Sequence, residues 1–189
     1  EALRTALAMG ADEAVLISDE GKPLDEYAVS RLLAAYAGKR SFDLVLGGNF
    51  SVDNGAGQVA IRVANLLGIP HVSSIVELNI ENGKASVSRD AEGDIEKIEV
   101  SLPAVFTAQQ GLNEPRYPSL PGIMKAKKKP LTQLAASDLG LSADDIAPKT
   151  EQTSLFMPQA RKAGQMISGS PAEQAASLVQ LLRNEAKVV

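Results

Sequence analysis

The stretch DLVLGGNFSVDNGAGQV, residues 43–59, decides the fold. Asp43 to Gly48 is a short apolar run ending in two glycines, the pattern of a strand buried on both faces. Residues 49–57 are polar and glycine-bearing. QVAIRVANLLG, residues 58–68, then sets Val59, Val63, Leu66 and Leu67 on one helical face, and Gly68 stops the helix. Strand, loop and helix in that order build a parallel sheet with crossover helices.

The same rhythm holds upstream. EALRTALAMGAD, residues 1–12, places Leu3, Ala6 and Leu7 on one helical face before Gly10. AVLIS, residues 14–18, reads as a buried strand, and residues 25–39 as a helix with Val29, Leu32, Leu33 and Tyr36 inward. Downstream the period changes from helix to strand. Residues 75–81 alternate apolar and polar, Asn82-Gly83 is a hairpin turn, and residues 84–90 and 95–102 continue an antiparallel meander. PAVFTAQ, residues 103–109, reads as another buried strand. Residues 130–145 read as a short strand and a turn, and 146–169, with Pro148 and Pro158, as an extended arm. At the end, Ser170, Pro171 and Glu173 spell a capping box before a helix with Ala175, Leu178, Val179 and Leu182 on one face. That stripe needs a surface, either on its own domain or on another chain. The expected organisation is therefore a nucleotide-binding α/β domain over 1–145, an arm over 146–169 and a helix within 170–189.

Composition narrows the chemistry. Only 4% of the 189 residues are aromatic and none is Trp, so the core must be aliphatic. The net charge of −4 argues against a general nucleic-acid binder. There is no Cys and one His, His71, which leaves no thiolate or imidazole cluster for a metal. No G-x-S-x-G elbow accompanies His71, so a hydrolase triad has no support. No apolar run is long enough to span a bilayer, and no signal peptide is visible.

Two stretches carry candidate sites. The first is the loop between strand and helix. In it Gly48, Asn49, Phe50, Ser51, Val52 and Asp53 leave the strand, and Asn54, Gly55, Ala56, Gly57, Gln58 and Val59 lead into the helix. Its glycines let backbone N–H groups approach an anion, and the helix N-terminus favours a phosphate. Neither a Walker loop nor a registered G-x-G-x-x-G is present, so a glycine-rich turn without ligand is equally compatible with the pattern. The second is GLNEPRYPSLPGIMKAKKKP, residues 111–130, which reads as neither strand nor helix. Pro115, Pro118 and Pro121 stiffen it, so that Arg116, Tyr117, Ser119 and Leu120 are presented rather than mobile. Gly122, Ile123, Met124 and Lys125 follow. Leu120 suits a docking anchor, with Lys125, Lys127, Lys128 and Lys129 steering an acidic partner. The bland alternative is a surface loop with solvated lysines.

EALRTALAMGAD, DLVLGGNFSVDNGAGQV, SRDAEGDIEKIEVSLPAV and GLNEPRYPSLPGIMKAKKKP, in this order and spacing, resemble the electron transfer flavoprotein beta subunit, in the form found in Gram-positive bacteria. The resemblance covers essentially the whole chain but lacks the family's N-terminal part, which implies a sheet short of strands. It implies a three-layer Rossmann-like (HUP-type) α/β fold with a mostly parallel sheet, an antiparallel meander, and a C-terminal arm plus helix. It implies an electron carrier without bond-making chemistry of its own, paired with an alpha subunit that holds most of one FAD. Electrons would come from acyl-CoA and related dehydrogenases and go to a membrane quinone reductase and the respiratory chain. The carrier would be cytoplasmic, with no direct membrane insertion. The family's structural AMP loop falls on Gly48–Val59, with Val59 where many relatives have a hydroxyl. Its recognition loop falls on Arg116–Lys125 with Leu120 as anchor. Its acidic residue near flavin and alpha falls on Asp90. The terminal helix would dock on alpha. An electron-bifurcating form with a second FAD, and a nucleotide-binding regulatory module without flavin, stand as alternatives.

Overall fold

β2 (Leu44–Gly48) and α3 (Val59–Leu67) flank the polar loop as the sequence requires, in a computed structural model that describes residues 1–160 and 163–189. Before them come α1 (Ala2–Met9), β1 (Ala14–Ile17) and α2 (Glu26–Ala37). After them come β3 (His71–Glu81), β4 (Lys84–Ala91), β5 (Asp94–Ser101), β6 (Ala104–Ala108), α4 (Leu120–Ala126) and β7 (Leu131–Leu134). Two compact units result, Glu1–Glu151 and Gln152–Val189. The first is an α/β, Rossmann-like body.

One five-stranded sheet has the order β2-β6-β3-β4-β5. β2, β6 and β3 run parallel, while β3, β4 and β5 form the antiparallel meander. β3 belongs to both halves because it switches partners partway along. His71 and Val72 pair with β6, the register shifts before Ile75, Ile75 pairs with β6 and β4 at once, and the rest of the strand pairs with β4. The shift is a bulge centred on Ser74, whose φ of 59° is left-handed. The Ser74 amide, taken off the ladder, donates instead to Thr107 Oγ1 at 3.0 Å. β6, between β2 and β3, is buried from Ala104 to Thr107, and its fully buried Phe106 anchors a core with Val72, Ile75, Ala85 and Val87. That core is aliphatic but for this one ring, as composition demands.

β1 does not join this sheet. It pairs in parallel with β7, forming a separate two-stranded sheet. Strand character is written in each apolar run, but the choice of neighbour depends on residues far away in sequence. The helix faces reflect this arrangement. α2 buries Ala28 and Leu32 against Leu139 and Ile146, which stand in two 3-10 turns, Ser137–Leu139 and Asp144–Ile146. Leu33, expected inward, stays 40% exposed and borders a cavity of about 540 Å³ along the free edge of β2. Leu66 of α3 is likewise 39% exposed rather than inward.

Residues 120–126 correct the expectation of an irregular loop. Ser119 accepts from the Gly122 amide at 3.1 Å as an N-cap, and Pro121 sits in the first turn, where its missing N–H costs nothing. The prolines that suggested a loop therefore open a helix. In the second unit α5 (Pro171–Leu181) carries the complete capping box. The Glu173 carboxylate accepts from the amide and hydroxyl of Ser170, both at 2.7 Å, and lies below its ordinary pKa through these two bonds, the hydroxyl's first. Its apolar stripe is partly exposed, with Leu178 and Val179 48% and 45% accessible and Leu182 half-buried.

Candidate functional site

The loop after β2 sits at the carboxyl edge of the parallel strands, where open α/β sheets bind ligands. Its base is fixed to the neighbouring strand. The Asn49 amide donates to Ala108 O at 3.2 Å, and Asn49 Oδ1 accepts from the buried Thr107 hydroxyl at 3.0 Å. Its tip is closed internally. Ser51 Oγ donates to Asn54 Oδ1 at 2.9 Å, Asn54 Oδ1 also accepts from the Ala56 amide, and the Gly55 amide donates to Ser51 O. Gly57 has a φ of 59°, and a Cβ there would lie 3.3 Å from Asn49 O, so glycine is required for the loop to fold back on its own start. Phe50, Val52 and Asp53 stand on the exposed side, Val52 at 98%.

The loop then delivers the chain to α3. No side chain caps this helix, because Gln58 accepts from Arg62 instead, at 2.8 Å from Nη2 and 3.2 Å from Nε. The first-turn amides are left without a side-chain cap, and a guanidinium stands one turn further on. Gly47 allows α3 to press against β2, since a Cβ there would lie 3.2 Å from Ala60 Cβ. Uncapped amides, a cation and an open glycine at Gly48 suit the phosphate of a nucleotide. Val59 contributes no hydroxyl to that set. No group of three or more His, Cys, Asp or Glu that could hold a metal occurs among the described residues.

Asp90 lies elsewhere. Gly48, Ala108, Ile75, Arg89 and Glu96 share one row across the five strands, and Asp90 is the next residue along β4. Three strand spacings, about 14 Å, separate β4 from β2, so Asp90 and the loop belong to different parts of the surface. The Asp90 side chain is exposed and takes part in no ion pair among the described residues.

The third group is assembled around α4. Tyr117, Leu120 and Met124 are 93%, 73% and 65% exposed, and Ile123 is 43% exposed, so α4 and the segment leading into it carry a concentrated apolar surface. Ala126 faces inward with Leu7 and Ala14. Lys125, Lys127 and Lys128 are exposed as expected for a basic patch. Lys129 is not part of it: its ammonium donates to Leu7 O at 3.0 Å and Ala11 O at 2.5 Å at the end of α1.

Several contributing residues escaped the sequence reading. Thr107 is a lone hydroxyl in an otherwise apolar strand, a signal that a buried polar partner is nearby. Arg62 falls on the polar face of α3, and nothing in the pattern marks it as turning back to Gln58. Arg4 looks like an ordinary surface residue, yet it reaches α4.

Comparison with known proteins adds the family. Residues 1–139 match the electron transfer flavoprotein domain. The chain is 54% identical over 189 residues to the electron transfer flavoprotein subunit beta of Bacillus subtilis (strain 168), covering 99% of this chain and 74% of that protein. It is 40% identical over 188 residues to the same subunit of Syntrophomonas wolfei, covering 100% of this chain and 71% of the relative. It is also 40% identical over 191 residues to the caffeyl-CoA reductase-Etf complex subunit CarD of Acetobacterium woodii, covering 98% of this chain and 73% of that subunit. With the α/β body and its loop at the carboxyl edge of the sheet, these matches show that the chain belongs to the electron transfer flavoprotein family, as a beta-type subunit.

Proposed function

We propose that this chain is the beta subunit of a heterodimeric electron carrier. It pairs with an alpha subunit, accepts electrons from acyl-CoA and related dehydrogenases, and passes them toward a quinone reductase and the respiratory chain in the bacterial cytoplasm. FAD, held mainly by alpha, supplies the redox chemistry when bound. The residues of this chain dock, position and shield. Loop Gly48–Val59 would hold a structural AMP by its backbone amides, with Arg62 adding charge. Asp90 would face alpha near the flavin. The arm and α5 would lie on alpha, which gives the exposed Leu178 and Val179 a surface. No helix among the described residues is long and apolar enough to cross a membrane.

The observation that carries the reading is the exposed Leu120 on a capped helix, at the position where the family's anchor leucine falls. An apolar side chain held out on ordered backbone is suited to fill a partner's pocket. Leu120→Ala is expected to slow electron transfer from an acyl-CoA dehydrogenase by about tenfold or more, the factor a lost anchor of 1.4 kcal/mol or more gives. FAD content should not change. Unaltered transfer rates would remove Leu120 from the docking role.

The likeness to a caffeyl-CoA reductase-Etf complex subunit favours a second reading, in which the subunit stays bound to one acyl-CoA reductase or dehydrogenase. Co-purification of a stable complex carrying a second FAD would select it.

A further inference from the structure

α4 has seven residues, too few to persist as a helix without tertiary support. Its support comes from α1. Arg4 Nη1 donates to Ala126 O, in the last turn of α4, at 2.7 Å, and to Lys129 O, in the turn that follows, at 3.0 Å. Lys129 answers from the other side, with its ammonium on Leu7 O and Ala11 O at the end of α1. Each helix end thus receives a cation where its dipole is negative. Gly122 sets the spacing: a Cβ there would fall 2.5 Å from Ala8 O, so only glycine lets the two backbones meet. The buried Ala126 completes the contact beside Leu7.

The consequence concerns how Leu120 is presented. Its backbone is already ordered by contacts on the far side of α4, so a partner need not bear that ordering cost. Lys129 and Arg4 are half-buried, whereas Lys125, Lys127 and Lys128 are exposed, so the basic run divides into a steering part and a structural part. We infer that Arg4, Lys129 and Gly122 are positioning residues that hold α4 in its docking form, and that losing any of them weakens dehydrogenase binding without altering the flavin. This inference rests on the docking role proposed for residues 116–125.

The test uses the heterodimer of this chain with an alpha subunit, and reads the KM and kcat of an acyl-CoA dehydrogenase for it. Arg4→Met and Lys129→Met are expected to raise KM about fivefold with kcat and FAD absorbance unchanged, and to lower the melting temperature slightly through the lost hydrogen bonds. Arg4→Lys should bring KM back to within about twofold, since a lysine can still reach one carbonyl. Gly122→Ala, which separates the helices without changing a charge, should raise KM equally at low and high salt. In a Leu120→Ala background, Arg4→Met should add little, because both act on one contact. Unchanged KM in the Arg4, Lys129 and Gly122 variants, beside a raised KM in Leu120→Ala, overturns the positioning role alone. Unchanged KM in all of them, Leu120→Ala included, overturns the docking role and the positioning role together. A fall in kcat that tracks lost FAD marks a folding defect and also contradicts the inference.

Discussion

Asp25 closes the N-terminus of α2 by accepting from the Ala28 amide at 2.8 Å, and it also holds the amides of Lys149 and Thr150 at 2.6 and 3.0 Å. One carboxylate therefore caps a helix and fixes the strand of chain that leaves the first unit. Lys149 adds a cation over the Tyr27 ring at 5.1 Å. Burial raises the Asp25 pKa, but the bonds from Ala28, Lys149 and Thr150 together outweigh it and hold the group below its ordinary value of 3.8. The sign follows from the charged form being favoured in the folded state. The contribution is present above the ordinary value and disappears as pH falls through the lower folded value. Asp25→Ala is expected to lower stability by about 1 kcal/mol at neutral pH, the usual worth of such a cap. Denaturant titration at pH 7 and again near pH 2.5 checks it: the gap between variant and parent should narrow in acid. An equal gap at both values would show that ionised Asp25 is not what stabilises this junction.

At the scale of elements, the basic run after Leu120 separates by position. Lys125, Lys127 and Lys128 point to solvent, and Lys129 is spent on α1. Charge reversal of Lys125, Lys127 and Lys128, with Lys129 kept, is expected to slow association with an acidic dehydrogenase face several-fold at low salt. The effect should shrink above about 0.1 M salt, where exposed charges further apart than ~10 Å no longer act. Stopped-flow reduction across a salt series reads this directly, and a salt-independent loss would count against steering. The same element shows where sequence patterns fall short. Pro115, Pro118 and Pro121 suggested irregular chain, yet Pro121 is harmless in the first turn of a helix capped by Ser119. By contrast β2, its loop and α3 were legible, because an apolar run, a glycine-bearing stretch and a helical stripe each follow from short-range chemistry. So was the capping box of α5. Loop positions at the candidate nucleotide site could be read from glycine spacing. Their supports, Thr107 and Arg62, could not, because they come from another strand and from the polar face of α3.

On the whole-molecule scale the parallel strands divide. β1 and β7 form one sheet, β2 to β6 the other, and the meander extends the larger sheet away from the loop. Strand pairing is set by long-range geometry, so the alternation of strand and helix gave the class of fold but not this division. The arrangement also distributes the candidate sites. The candidate nucleotide loop lies at the carboxyl edge of β2, Asp90 on the meander, and α4, proposed to dock partners, on α1. A carrier subunit has reason to keep cofactor, partner and donor surfaces apart, so that each can be occupied while the others work. The half-exposed apolar face of α5 belongs to the second unit, and the proposed docking on an alpha chain would cover it. The most direct measurement is co-expression of this chain with an alpha subunit, followed by the visible spectrum of the purified complex and the masses of the cofactors it releases. The account predicts a yellow heterodimer that yields one FAD and one AMP. A colourless chain that binds a nucleotide and does not associate with alpha would contradict it.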